Sequence, residues 1–288
     1  MKNILNILTL FTLVTVIPSC KKDHSNPGDN NPVQPPVLSY DTASRSFFTA
    51  TSITDTVQMR AINDLVISLK KDSLWDKFLA IYPMIGGSAS TTKWNLKDPR
   101  DDDAAYRLTF FGNPVFSPTG VLFPTTADYA DSHLVDTAMG GYNNSAISYY
   151  SRTQNSISGY DMGCTDGAYP YNELSIYSNA ADTSNSADNT EWFGYNPNLN
   201  TPNTTGLFMI SSTDSDVKRY RNGVVVGAYG QPPHNSYTDL TILIGTSRVT
   251  SRPGQKECAL ATIGNGLTDA QALDFYNIVQ AFETKLNR

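Results

Sequence analysis

The chain has 288 residues, of which 40% are hydrophobic and 11% aromatic, enough to bury a sizeable core, so wholesale disorder is excluded. Charged residues reach only 17%, 27 acidic against 21 basic for a formal net charge of −6, and no basic run exceeds two residues. A surface that tracks phosphates needs clustered positive charge, so nucleic acid is excluded as an expected partner.

The first segment reads as an address rather than as part of the fold. Lys2 supplies a positive start, and Ile4 to Ile17 form a mostly apolar stretch of fourteen residues. That is too short for a membrane span, which needs ~20 residues. The stretch ends in Ile17-Pro18-Ser19-Cys20, which resembles the lipobox of bacterial lipoproteins, with Pro18 departing from the usual small residue. The resemblance implies cleavage before Cys20 and lipidation of its thiol; a plain secretory signal or a cytosolic start are the alternatives. Residues 1–19 are therefore expected to be a signal peptide. Residues 20–41 carry Pro27, Pro32, Pro35 and Pro36 among small polar residues and are expected to be a flexible tether. Lys22-Asp23 after the lipid site resembles a surface-export signal of some Gram-negative lipoproteins, which implies display at the outer membrane or cell surface.

From Thr54 the apolar positions recur at helical spacing: Val57, Ile62, Leu65, Val66 and Leu69, closed by Lys70-Lys71 where cations complement the helix dipole. A short helix around Thr42–Thr49 is weakly patterned, and a further helical run is expected from Asp72 through Ala80. Pro83 and Gly86-Gly87 end it.

Beyond residue 100 the period falls to two. Tyr106, Leu108 and Phe110 alternate with their neighbours, as do Ile147, Tyr149 and Ser151. Leu174 and Ile176 follow, then Leu207 and Met209, then Leu240, Ile242 and Ile244. These runs predict half-buried strands of a sandwich. Val217 to Val226 predicts a hairpin turning at Asn222-Gly223, a dipeptide that tolerates positive φ twice. Residues 180–205 read as a long polar loop. Thr268 and Gln271 have capping-box spacing ahead of an apolar stripe of Ala272, Phe275, Ile278, Val279 and Phe282, so the chain closes with a helix that docks on the sandwich. Residues 42–288 are expected to form one domain.

Tyr220-Arg221-Asn222-Gly223-Val224-Val225-Val226 resembles a hairpin of concanavalin A-like (laminin-G-like) sandwiches. So does the closing Ile263-Gly264-Asn265-Gly266-Leu267-Thr268-Asp269-Ala270. The stretches Trp94–Arg100 and Tyr149–Thr153 are similar to segments of uncharacterised members in bacterial envelopes and phage virions. The fold class implied is mainly β: a concanavalin A-like antiparallel β-sandwich, or jelly roll, with N-terminal helices and a C-terminal capping helix. The family is described mostly as lectin-like or structural, and fold alone carries no function.

Hydrolysis of glycosides needs paired carboxyl groups. The resemblance implies a Glu-x-Asp-x-x-Glu strand for the enzymatic members, and none of Glu173, Glu191, Glu257 and Glu283 stands in that context. No catalytic residue is expected. Asp98, Asp101, Asp102 and Asp103 invite a calcium reading, but turns use Asp routinely, and pairing with Arg100 or Arg107 is the favoured alternative. His24, His133 and His234 lack partners at ligand spacing, so zinc is not expected, and no cofactor motif occurs. Cys164 and Cys258, 94 residues apart, are open to one disulfide or to two buried thiols. The aromatic surplus points to stacking on sugars, with Trp192 and Tyr195 in a polar region and Tyr150 and Arg152 on the strand face opposite Ile147 and Tyr149. Strand aromatics are more often core, so each also has a structural reading.

These observations predict a lipid-anchored, non-catalytic surface module binding glycan or mediating adhesion, its partners a glycan or a surface protein. The alternatives are an assembly protein contacting other proteins, in an envelope or virion, and a divergent glycoside hydrolase.

Overall fold

The computed structural model describes residues 39–139, 144–155, 157, 159–165, 173–178, 188–192, 203–213, 216–230, 239–247 and 254–288. Helix α1 (Thr42–Thr51) starts where the Asp41 carboxylate accepts from Ala43 N. Helix α2 (Thr56–Lys71) starts at Asp55, whose carboxylate accepts from Val57 N and Gln58 N. Such caps satisfy donors that the first turn leaves orphaned, and each contributes roughly 0.5–2 kcal/mol. In α2 the expected stripe holds for Ile62, Leu65, Val66 and Leu69, which are buried, whereas Val57 is 49% exposed.

The run after α2 departs from expectation. Instead of a helix there is a 3-10 turn, Trp75–Lys77, then strand β1 (Phe78–Tyr82). The apolar residues Phe78, Ala80 and Ile81 all become buried, because β1 pairs with the last strand and is covered on both faces. A short apolar run of this kind is compatible with either structure, and only the partner strand decides.

One helical turn, α3 (Ala89–Thr92), precedes strands β2 (Thr109–Phe111), β3 (Val115–Ser117), β4 (Gly120–Leu122) and β5 (Tyr129–Val135). Then come β6 (Ser145–Ser151), β7 (Gly159–Thr165), β8 (Glu173–Ser178) and β9 (Asp188–Trp192). Strand β9 lies inside the stretch expected to be a loop, its polar sequence Asp-Asn-Thr-Glu-Trp giving no apolar alternation. The remaining strands are β10 (Gly206–Thr213), β11 (Asp216–Arg221), β12 (Val224–Gly230), β13 (Thr241–Ile244) and β14 (Glu257–Gly264). Helix α4 (Asp269–Lys285) closes the order, its capping box made by Thr268 and Gln271 in both directions. The hairpin β11–β12 turns as expected, with φ of 49° at Asn222 and 75° at Gly223.

The strands form two antiparallel sheets, a sandwich within the unit Tyr40–Arg288. The larger sheet runs β12-β11-β10-β6-β14-β4-β3, with β1 also on β14; the smaller runs β2-β5-β13-β7-β8-β9. Ile147, Tyr149, Phe208, Ile210 and Ile263 of the larger sheet meet Ala130, Leu134, Met162, Ile176 and Ile244 of the smaller. The opposite face of the larger sheet is also covered: Tyr150, Leu207, Met209, Tyr220 and Leu260 pack on α1, α2 and α4. The central strands β6, β10 and β14 of the larger sheet are therefore buried on both sides. That corrects the half-buried reading for β6, whose residues are all buried, whereas β5 alternates in and out as a one-faced strand does.

Cys164 on β7 and Cys258 on β14 are not joined in a disulfide, and both are buried in the core between the sheets. Of the two alternatives the sequence leaves open, the structure has the two buried thiols. Burial pushes the Cys258 thiol well above its ordinary range, so it stays protonated.

Candidate functional site

The end of β6 carries Tyr150, Ser151 and then Arg152. Alternation across the pleat turns Tyr149 inward, where its hydroxyl donates to Lys256 O at 2.9 Å, and Tyr150 outward beneath α4. The Tyr150 hydroxyl donates to Gln280 Oε1 at 3.3 Å. Partial burial holds this phenol above its ordinary pKa, so it is a neutral donor near neutral pH.

A pocket of about 320 Å³ opens over these residues. Its base is Tyr150, Ser151 and Arg152; one wall is Asn203, Thr205 and Gly206 at the start of β10, with Asn222 of the hairpin turn; the other is Gln280 and Arg288 at the end of α4. This volume falls at the small end of the roughly 300–1,000 Å³ usual for ligand sites. Among the described residues the lining is amide, hydroxyl, phenol and guanidinium, with no carboxylate side chain.

Local hydrogen bonds hold the walls. Thr204, fully buried, receives Asn155 N at 3.1 Å on its hydroxyl and gives its own N–H to Gln154 Oε1 at 2.9 Å, tying the β10 wall to the chain beyond β6. Asn203 Oδ1 accepts from Thr205 N and from Thr205 Oγ1. Asn222 Oδ1 accepts from Leu207 N at 2.9 Å, which joins the hairpin turn to β10. Gly206 is at φ +104°, and a Cβ there would run into the Asn222 amide. Glycine is required by both its backbone and its neighbour.

The two arginines differ. The Arg288 side chain has no exposure and pairs with Glu283, equally buried, at 2.7 Å. It also donates to the carbonyls of Pro83, Met84, Thr119 and Ala259, joining α4 to the sheet beneath. The Arg152 side chain keeps 25% exposure, and its nearest acid is Glu257 Oε1 at 4.0 Å. That oxygen already accepts from Ser117 Oγ at 2.9 Å and Thr119 Oγ1 at 2.6 Å.

Of the expected ligand residues, the pocket brings together Tyr150 and Arg152. Trp192 ends β9, paired with Leu174 at the edge of the other sheet. Tyr195 and Cys20 lie outside the described residues. The sequence reading missed Asn203, Asn222 and Gln280. Asn222 was legible only as a turn residue, and nothing in the sequence signals that Gln280 faces Tyr150.

The acidic cluster is engaged by protein groups. Arg100 pairs with Asp98 at 2.5 Å, Lys93 with Asp101 at 2.7 Å and Arg107 with Asp103 at 2.8 Å, while Asp102 accepts from Ala104 N. The hydrogen bond from Arg100 lowers the pKa of Asp98, and that from Lys93 lowers Asp101. His133 belongs to β5, with Nε2 at 2.8 Å from Thr109 Oγ1. Among the described residues no three His, Cys, Asp or Glu side chains are arranged to hold a metal ion.

No protein-family model matches the sequence, and no curated protein matches it. Solved structures with a similar course of chain include domain 4 of AbnA, a GH43 extracellular arabinanase from Geobacillus stearothermophilus, in complex with arabinotriose. That match has 13% identity and a TM-score of 0.47, covering 69% of this chain and 98% of that one. The receptor binding domain of botulinum neurotoxin C/D mosaic serotype is 11% identical with a TM-score of 0.41, covering 70% of this chain and 51% of that one. A Trypanosoma rangeli sialidase mutant is 8% identical with a TM-score of 0.42, covering 78% of this chain and 39% of that one. This chain thus spans about half, or less, of the toxin domain and the sialidase. At such identities and scores the likenesses carry no argument about function.

Proposed function

We propose that this chain is a non-catalytic binding module of the concanavalin A-like kind, and that the pocket over Tyr150 takes a glycan. The carrying observation is the lining: Asn203, Asn222, Gln280 and Arg152 present amide and guanidinium groups around a phenol, with no carboxylate side chain among the described residues. Sugars offer dense hydroxyls, which are donors and acceptors at once, and the amide, hydroxyl and guanidinium groups of the lining are suited to hydrogen-bond them. Glycoside hydrolysis needs an acid and a second carboxylate across the bond, which the described residues of this lining do not supply. An assembly surface would instead present a contiguous apolar patch, which is not the character of this pocket.

The sequence supports a place for this activity: a module tethered by residues 20–41 to an acylated Cys20, displayed at the outer membrane or cell surface. Radiolabelled palmitate incorporated into the full chain, and lost in Cys20→Ala, is the expected result for the anchor. For the pocket, a glycan array probed with the domain is expected to show binding that falls at least tenfold in Gln280→Ala. An array negative for every polysaccharide, with a fixed protein partner co-purifying, sinks the glycan reading.

A further inference from the structure

Resting on the glycan reading, the geometry points to a narrower ligand class: we infer that the pocket selects a sugar bearing one anionic substituent, held by Arg152. Five N–H donors sit on a guanidinium. Among the described residues Arg152 donates no side-chain hydrogen bond, and its single ion-pair contact, to Glu257, is at 4.0 Å. Glu257 Oε1 is meanwhile filled by the hydroxyls of Ser117 and Thr119. The donors of Arg288 are spent on Glu283 and four carbonyls, so that residue adds no free donor.

Among the described residues the pocket therefore offers Arg152 as an available cation and a lining free of carboxylate side chains. A planar guanidinium fork matches a carboxylate or a sulfate through two parallel hydrogen bonds, which are shorter and stronger than neutral ones. Arg152 is partly sheltered, with 25% of its side chain exposed, so the attraction is less screened than at an open surface. Highly charged polymers are disfavoured, because the chain carries a formal net charge of −6. One charge on an otherwise hydroxylated ring suits both Arg152 and the amides: a uronic acid or a singly sulfated sugar.

The test uses rings that differ in one substituent. Glucuronate, glucose and glucose 6-sulfate, and the galactose series, are titrated against the domain by protein-observed NMR. Binding at least about tenfold tighter for glucuronate or the 6-sulfate than for the neutral sugar, weakening as sodium chloride rises, supports the inference. Whether carboxylate or sulfate is favoured identifies the source of the anion. In Arg152→Gln the preference is expected to vanish, and in Arg152→Lys to survive in part. Thermal midpoints should stay near wild type, because the guanidinium makes no side-chain hydrogen bond that folding relies on. Neutral sugars bound as tightly as charged ones, with an unchanged affinity in Arg152→Gln, overturn the inference and leave the glycan reading standing. Binding of none of these sugars, with a negative array, overturns both.

Discussion

At the residue scale, two side groups set the pocket's shape without touching its centre. Gly206 holds φ at +104°, and its missing Cβ leaves room for the Asn222 amide. Gly206→Ala should cost about 1–3 kcal/mol from the backbone alone, read from urea unfolding, and should displace Asn222 from its bond to Leu207 N. The second is Arg288. Truncating one member of a buried ion pair leaves the other charge stranded, at about 3–5 kcal/mol. Arg288→Met should show that loss, while the double replacement Glu283→Leu with Arg288→Met should lose less than the single one. A double variant no better than Arg288→Met would mean that the four carbonyl bonds, rather than the charge pair, dominate.

At the element scale, α4 is tied down at both ends. Its first residue, Asp269, pairs with Lys218 at 2.9 Å and accepts from the Tyr220 hydroxyl at 2.8 Å, joining the helix start to β11. The hydrogen bonds from Lys218 and then Tyr220 hold the Asp269 carboxyl below its ordinary 3.8. A carboxyl with a depressed folded pKa stabilises above its unfolded pKa, and loses that contribution as the pH falls through the folded value. Asp269→Asn should therefore be less stable than wild type near neutrality, and the two should converge in acid; this exposed network is screened, so the gap should narrow with salt. Both chains followed in urea across that pH range provide the measurement, and a gap that widens in acid contradicts it. The elements with a strong local code were legible in the sequence: α2 through its spacing, the hairpin through Asn222-Gly223, and α4 through Thr268 and Gln271. Strand β1 was not, because Phe78 to Tyr82 is apolar without a period and becomes a strand only by pairing with β14.

At the scale of the whole molecule, three layers of helices, larger sheet and smaller sheet bury Cys164 and Cys258 together in one core. Both thiols should resist an aromatic disulfide reagent in the native state and react together upon unfolding. Mass spectrometry of alkylated, denatured and unreduced protein should find both modified; a bridged pair would contradict the packing. The pocket itself is a product of this layering. It forms where the end of β6, the start of β10, a hairpin turn and the end of α4 meet, four stretches spread between residues 150 and 288.

What the sequence determined by itself was the class of architecture: period-two runs bounded by turn residues, a helical prologue and a capped closing helix, all local signals with a local physical cause. Tyr150 and Arg152 could be put on one face for the same reason, since a strand alternates every residue. The tertiary structure alone decided that the central strands of the larger sheet are covered on both faces, that the acidic residues near Asp101 are taken up by Lys93 and arginines, and that Gln280 stands over Tyr150, 130 residues away. Those outcomes depend on contacts between distant segments, and no spacing within one segment encodes which partner arrives.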